Sequence, residues 1–544
     1  MIACMLISMQ AFADNVKLTS SNLPIIIIQT QKAINADAKV MGTMKIIDNG
    51  EGQTNNVDDA PLGYDGYIGI KWRGESSLNF NQKKYTIETW DSLGNDTAVA
   101  LLGMPEEADW VLLAPYNDVS MVRDVFAFYM WNEMGHWGPR TRMCEVVVNG
   151  EYMGVYALCE SIKRDKNRVD VSKLQPEDVE GRDLTGGYIV RIDAFDNNDV
   201  TFKSKVKGTQ TQQWGGWGGG GTTSATVTWT IYYPKKDNLQ DAQKKYIQSF
   251  VDTVELAIQA SNFSDPVEGY AKYVDVGSFV DYFIHTELSL NADGFKRSSY
   301  FYKEKDKKDG TRGKFFAGPV WDFNLAYGNC NFCNANKVNS WVYEGCETNP
   351  TPVMWKRLLQ DETFRNAVKC RYLELRQTIL SEESIDAFLD SYATLLSEAK
   401  ERQLKKYNEV LKQNGGWGWS PTSFYAAYQV STYAEEISTV KKWFRQRLAF
   451  LDKNLPGECT SNSAKPTSYY DADILLKGRS AKVSSRLPLS RIDVIDALGR
   501  QLRTQRVSGS HNAVVQLHGL GEGLRIIVCY SEDGSMVSRG VILK

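Results

Sequence analysis

The sequence predicts an α+β fold in which a strand-rich first lobe leads into a helical second lobe, and a small all-β sandwich domain ends the chain. Three observations predict it. Residues 25–88 alternate with period two between Gly and Asn turns, whereas beyond Asp237 the apolar spacing changes to three and four. After a small, polar linker at residues 456–468, short alternating strands return over residues 469–544. A chain of 544 residues also exceeds one ordinary core, so two or more domains are expected.

The elements follow in order. Residues 1–13, MIACMLISMQAFA, form an apolar run ending in Ala-Phe-Ala, which suits a signal peptide with Asp14 opening the mature chain. The basic residues that usually precede such a run are missing, as in a truncated leader. IIIIQT, YIGIKWRG and KKYTIETW read as strands. Asn117 or Asp118 can cap a helix with Val122, Val125, Phe126, Tyr129 and Met130 on one face. CEVVV and MGVYALCE then form a hairpin about Asn149-Gly150. Residues 209–223, TQTQQWGGWGGGGTT, read as a flexible Gly-rich loop. Tyr433, Ile437, Val440, Phe444, Leu448 and Leu451 mark a long amphipathic helix.

Composition excludes several functions. Lys+Arg number 63 against 66 Asp+Glu, a net charge of -3, so no overall field recruits nucleic acid. The four histidines are scattered without HExxH spacing, and neither G-x-S-x-G nor a P-loop is present. No segment is long and apolar enough to be a transmembrane helix. Among the nine cysteines, Cys330, Cys333 and Cys346 cluster, and a staple between two of them fits an exported chain better than a metal site.

Two aspartates carry the chemistry. Asp293 sits in the polar turn of NADGFKRSSYFYKE, and Asp322 follows the apolar strand end of GPVWDFNLAYGN. They lie 322 − 293 = 29 residues apart, enough for a hairpin that returns the second acid beside the first. Two carboxylates at neighbouring strand ends make a hard-oxygen site for Mg²⁺, as phosphoryl transfer requires. Turn capping, the commonest use of Asp, accounts for the spacing alone equally well.

Several co-linear blocks add a resemblance. WRGESSLNFNQKKYTIE, LLGMPEEADWVLLAPYNDVSMVRD, GEYMGVYALCESIKRDKNRVDVSKL, GGYIVRID, NADGFKRSSYFYK, WDFNLAYGN and WKRLLQDETF resemble the CotH family of atypical protein kinases, over residues 23–455. The resemblance implies a two-lobed kinase-like domain that uses ATP and Mg²⁺ or Mn²⁺ to phosphorylate Ser or Thr of a protein substrate. It implies Asp293 as the catalytic-loop aspartate and Asp322 as the metal-binding one, with Lys83, or else Lys84, on the nucleotide phosphates. Glu160 would mark the adenine hinge. Arg123 would contact phosphate or brace the lobes, on a helix that offers Asp124 and Glu133 as partners for the lysine. Ser298 stands where ordinary kinases carry an Asn metal ligand, so a second metal ion would be held weakly, with Asn324 helping from the other strand.

The C-terminal features IDVIDALGRQL, LHGLGEGLRIIVCY and SRGVILK resemble a type IX secretion sorting domain of the Bacteroidetes kind. With the leader, this implies a secreted or surface-attached enzyme that meets the type IX machinery. Two other functions compete: a pseudokinase scaffold binding through surfaces such as the Trp214–Trp217 loop, and a carbohydrate-active enzyme whose paired acids stand roughly 5–10 Å apart.

Overall fold

A computed structural model describes residues 16–50, 52–212, 221–346, 348–411, 430–460, 472–496, 500–531 and 536–543. The expected leader at 1–13 and the Trp214–Trp217 loop therefore lie outside the described residues, as does most of the linker. The fold is α+β.

The first part is a closed barrel. Strands β1 (Ser20–Ser21), β2 (Ile25–Thr30), β3 (Val40–Ile47), β4 (Asn55–Asn56), β5 (Tyr64–Arg73), β6 (Lys84–Trp90) and β7 (Asp109–Leu113) precede helix α1 (Arg123–Glu133). β8 (Thr141–Val148) and β9 (Glu151–Glu160) follow it. β1 and β4 form a short separate pair, and the barrel order is β2-β3-β5-β6-β7-β9-β8. It closes through a parallel pairing of β2 with β8, Ile25 opposite Glu145. Period-two alternation fills the interior with Ile26, Ile28, Met44, Ile46, Ile68, Ile70, Ile87, Trp110 and Leu112. The other parity, Val111, Leu113, Val155, Ala157 and Cys159, packs outward in the same core as α1.

The expected cap of α1 lands differently. The helix begins at Arg123, and the side chain of Asp118 accepts its backbone N–H at 2.9 Å and that of Ser120 at 3.0 Å. A turn with Met121 at φ 63° separates the acid from the first helical residue.

The second part holds a sheet ordered β11-β12-β10-β13-β14. Its strands are β10 (Tyr188–Ile192), β11 (Val200–Gln212), β12 (Gly221–Tyr233), β13 (Ser299–Lys303) and β14 (Phe315–Ala317). The Gly-rich segment is thus shorter as a loop than the composition suggests: residues 210–212 and 221–223 pair with one another in the β11–β12 ladder. Phe202, Trp229, Phe301 and Phe315 pack from this sheet into one core with the helices.

Helices α2 (Asp241–Gln259) and α3 (Val276–Ser289) are followed, after β13 and β14, by α4 (Met354–Leu358), α5 (Glu362–Arg376), α6 (Glu382–Leu395), α7 (Ala399–Lys406) and α8 (Tyr433–Asn454). α3 is capped by Asp275, whose carboxylate accepts from Ser278 N–H, and it is buried from Gly277 to Ser289. Cys370 on α5 is disulfide-bonded to Cys459 beyond α8, and Cys333 is bonded to Cys346. The second bond is the staple expected in the Gly/Asn-rich stretch.

The C-terminal strands β15 (Ala472–Lys477), β16 (Ser480–Asp496), β17 (Gln501–Gln516), β18 (Gly523–Ser531) and β19 (Met536–Leu543) form one antiparallel sheet. It has its own core of Ile474, Val483, Leu489, Ile492, Val494, Val515 and Ile527.

Candidate active site

The β13–β14 hairpin organises the site. α3 ends at Leu290 in the left-handed conformation, φ 45°, and releases the turn that carries Asp293. β13 and β14 pair antiparallel, Phe301 opposite Ala317, so the chain returns and presents Asp322 near Asp293. Asn291 bridges the two turns: its amide donates to the backbone carbonyl of Asp322 at 3.2 Å, while its side-chain oxygen accepts from Asp293 N–H at 3.1 Å. Leu290, Phe295, Ser298, Asp322 and Tyr327 all have positive φ. Such backbone is costly for residues with a Cβ and persists where its surroundings hold it.

A lysine and two more acids complete the arrangement. Lys84, at the start of β6, places Nζ 3.3 Å from Asp322 Oδ1, with its own side chain only 9% exposed. Asp124, one residue into α1, accepts from Phe323 N–H at 2.5 Å. Its carboxyl is pushed up to about 6 by burial, with Lys84 opposing and Asp322 adding to the rise. Asp293 is likewise raised to about 6, chiefly by burial; Lys296 and Arg297 oppose the rise, and Asp322 and Asp193 reinforce it. Asp193, just past β10, accepts from Ser298 N–H at 3.3 Å and is paired with Arg191 at 3.2 Å.

The candidate residues divide on this geometry. Asp293, Asp322 and Lys84 come together. Lys83 does not reach them, because adjacent strand residues point to opposite faces: its ammonium donates to the carbonyls of Leu78 and Phe80 at 2.7 and 2.6 Å and lies over Trp72. Burial holds the Lys83 ammonium below its ordinary value. Asp124, rather than Glu133 near the far end of the same helix, is the α1 acid that faces Lys84.

Arg123 is buried and paired with Asp118 and with Glu436 of α8, and its Nε donates to Ala326 carbonyl at 3.2 Å. That is a brace, tying the start of α1 to α8 and to the loop after Asp322. The Glu160 carboxylate is fully buried and held by a two-pronged bond from Arg140 at 2.7 and 2.8 Å, and its backbone N–H already donates to the Arg140 carbonyl at 3.1 Å. Asn324 donates to Asn117 Oδ1 at 3.1 Å, and Ser298 turns its backbone amide to Asp193.

The donor set is hard oxygen throughout, which suits Mg²⁺. Among the described residues no three His, Cys, Asp or Glu side chains converge into a formed metal cage. Asp322 is 35% exposed and held by Lys84. Sequence reading missed Asp193, although it ends the GGYIVRID block; an acid directly after an apolar strand was the available signal.

A family model described as CotH kinase protein matches residues 70–451. No curated protein matches the chain.

Proposed function

Because the chain belongs to the CotH kinase protein family, we propose that it transfers phosphate from ATP to Ser or Thr of a protein substrate through a two-lobed kinase-like site. The observation that carries this reading is the buried Lys84 ammonium paired with Asp322 and within electrostatic reach of Asp124, with Asp293 returned beside Asp322 by the β13–β14 hairpin. A nucleotide phosphate would take the place of Asp322 on Lys84, and Asp124 would keep the ammonium aimed, as charge-assisted pairs do. Asp322, with Asp193 or Asn324 nearby, would hold Mg²⁺ or Mn²⁺, which supplies charge neutralisation on the phosphates. Asp293 would accept the proton of the acceptor hydroxyl.

A weakly catalytic, scaffold-like reading is favoured by one observation. Ser298, standing where an Asn ligand would, is engaged with Asp193. Labelling decides between the two. Purified protein is incubated with radiolabelled ATP and Mg²⁺, with casein as acceptor, beside Lys84→Met, Lys83→Met, Asp322→Ala and Asp293→Asn. The kinase reading expects label in wild type and Lys83→Met and its loss in the other three. No label and no nucleotide binding in wild type refute it; label undiminished in Asp322→Ala and Asp293→Asn refutes the site.

Export belongs to the same proposal. The leader-like residues 1–13 and the C-terminal sheet, read as a type IX sorting domain, would place the enzyme outside the cell or on its surface. Two disulfides support an oxidising compartment. Residues 16–543 contain no described helix that is long and apolar enough to cross a membrane.

A further inference from the structure

The turn that follows β5 lies across both acid-bearing loops. Arg73 stacks over the ring of Trp321, the residue before Asp322, at 5.1 Å. Two residues on, Glu75 Oε2 accepts the Arg297 guanidinium at 3.2 Å, with Glu75 69% and Arg297 32% exposed. Gly74 between them has φ +115°, and a Cβ there would meet Ser77 Oγ at 1.9 Å, so only Gly makes this turn. One short turn of the barrel thus touches the neighbour of each acid.

The cations around the acids are not equivalent. Lys84 is on Asp322, Arg191 is held by Asp193 and Asp199, and Lys296 is buried with its ammonium on the Ala292 carbonyl. Arg297 is close enough to Asp293 to lower its carboxyl, yet its ion-pair partner is an exposed acid from across the opening. Exposed pairs of this kind are weakly held and exchange readily. A guanidinium fork that accepts a carboxylate accepts a phosphate with the same geometry.

We propose that Arg297 is a phosphate-binding residue, parked on Glu75 until the terminal phosphate of a nucleoside triphosphate displaces that carboxylate. This rests on the nucleotide reading above. The exchange replaces one anion by another, and Glu75, already mostly in water, is left solvated. The terminal phosphate is the one selected, because Arg297 stands on the Asp293 side of the site, where the phosphoryl group must meet its acceptor.

The test is nucleotide affinity by calorimetry on the full chain with Mg²⁺, using ADP and a non-hydrolysable ATP analogue. Wild type should prefer the analogue. Arg297→Ala should erase that preference, about tenfold for a charge-assisted phosphate contact, while ADP affinity stays within about twofold; Arg297→Lys should keep part of it. Glu75→Gln, an exposed substitution that leaves the fold intact, should tighten the analogue about threefold, and that gain should vanish in the double variant. The assignment is overturned if Arg297→Ala weakens ADP and analogue equally, if it changes neither, or if the Glu75→Gln gain survives without Arg297. A wild type that binds neither nucleotide overturns the nucleotide reading itself, and this one with it.

Discussion

Replacing Asp293 by Asn should stabilise the protein while abolishing phosphoryl transfer. The carboxyl is raised from 3.8 to about 6 by burial, with Lys296 and Arg297 opposing the rise and Asp322 and Asp193 adding to it. A folded-state value above the unfolded one means that the folded form prefers the proton. Stability from this group is therefore fully present below 3.8 and is lost as pH rises through about 6. At pH 8 the ionised carboxyl costs the fold about 3 kcal/mol, and at pH 4.5 about 1 kcal/mol. Both are upper figures, because Asp293 is partly exposed and water screens it. The neutral amide removes the cost at every pH. Denaturant midpoints of wild type and Asp293→Asn, measured with chelator at pH 8 and pH 4.5, should show the variant ahead at pH 8 and the gap closing at pH 4.5. A variant no more stable at pH 8, or a gap that does not depend on pH, would refute the reasoning. On the proposed role of Asp293, label transfer should fall steeply below pH 6 in wild type, because a carboxyl accepts a proton only when ionised.

Arg123→Met should destabilise by about 3–5 kcal/mol, because Asp118 and Glu436 are then buried without their cation; a loss under 1 kcal/mol in a denaturant titration would show the brace to be unimportant. The disulfides should differ in worth. Cys370–Cys459 closes a separation of 89 residues and Cys333–Cys346 one of 13, so chain entropy gives about 4.6 and about 3 kcal/mol. Paired Cys→Ser variants should follow that order in thermal midpoint, and the reverse order would count against the entropic account.

The elements of the barrel were legible because period-two alternation has one physical meaning, a strand with one buried face. The order of several strands, a helix and two strands could be read from Ile25 to Glu160, the helix from apolar residues three and four apart. Closure into a barrel was not, since the β2–β8 pairing joins segments about 120 residues apart and leaves no local mark. In the site, Asp293 and Asp322 stood out as acids at strand and turn boundaries. The sequence put Lys83 ahead of Lys84 for the phosphate lysine, whereas it is Lys84 that meets Asp322; that choice hinges on parity, and a register one residue out exchanges inside and outside. For Arg123 the sequence left phosphate contact and a brace both open, because its partner Glu436 lies on α8, far along the chain. Positive φ at Asp322 and Ser298 has no signature in residue type, because tertiary packing imposes it.

The bond between Cys370 and Cys459 has a mechanical consequence. Cys459 lies beyond the last residue of α8, on the side from which the chain runs to the C-terminal sheet. A pull on that sheet would otherwise peel α8 from its C-terminal end, one turn at a time. With the covalent link, tension passes at Cys459 into α5, whose Phe364, Val368 and Tyr372 are sunk in the main core. Tyr372 and Arg376 of α5 also hold Asp452 on the last turn of α8, at 2.7 and 2.9 Å. The load is thereby shared between two helices, and the core packed around them is insulated from traction on the tail.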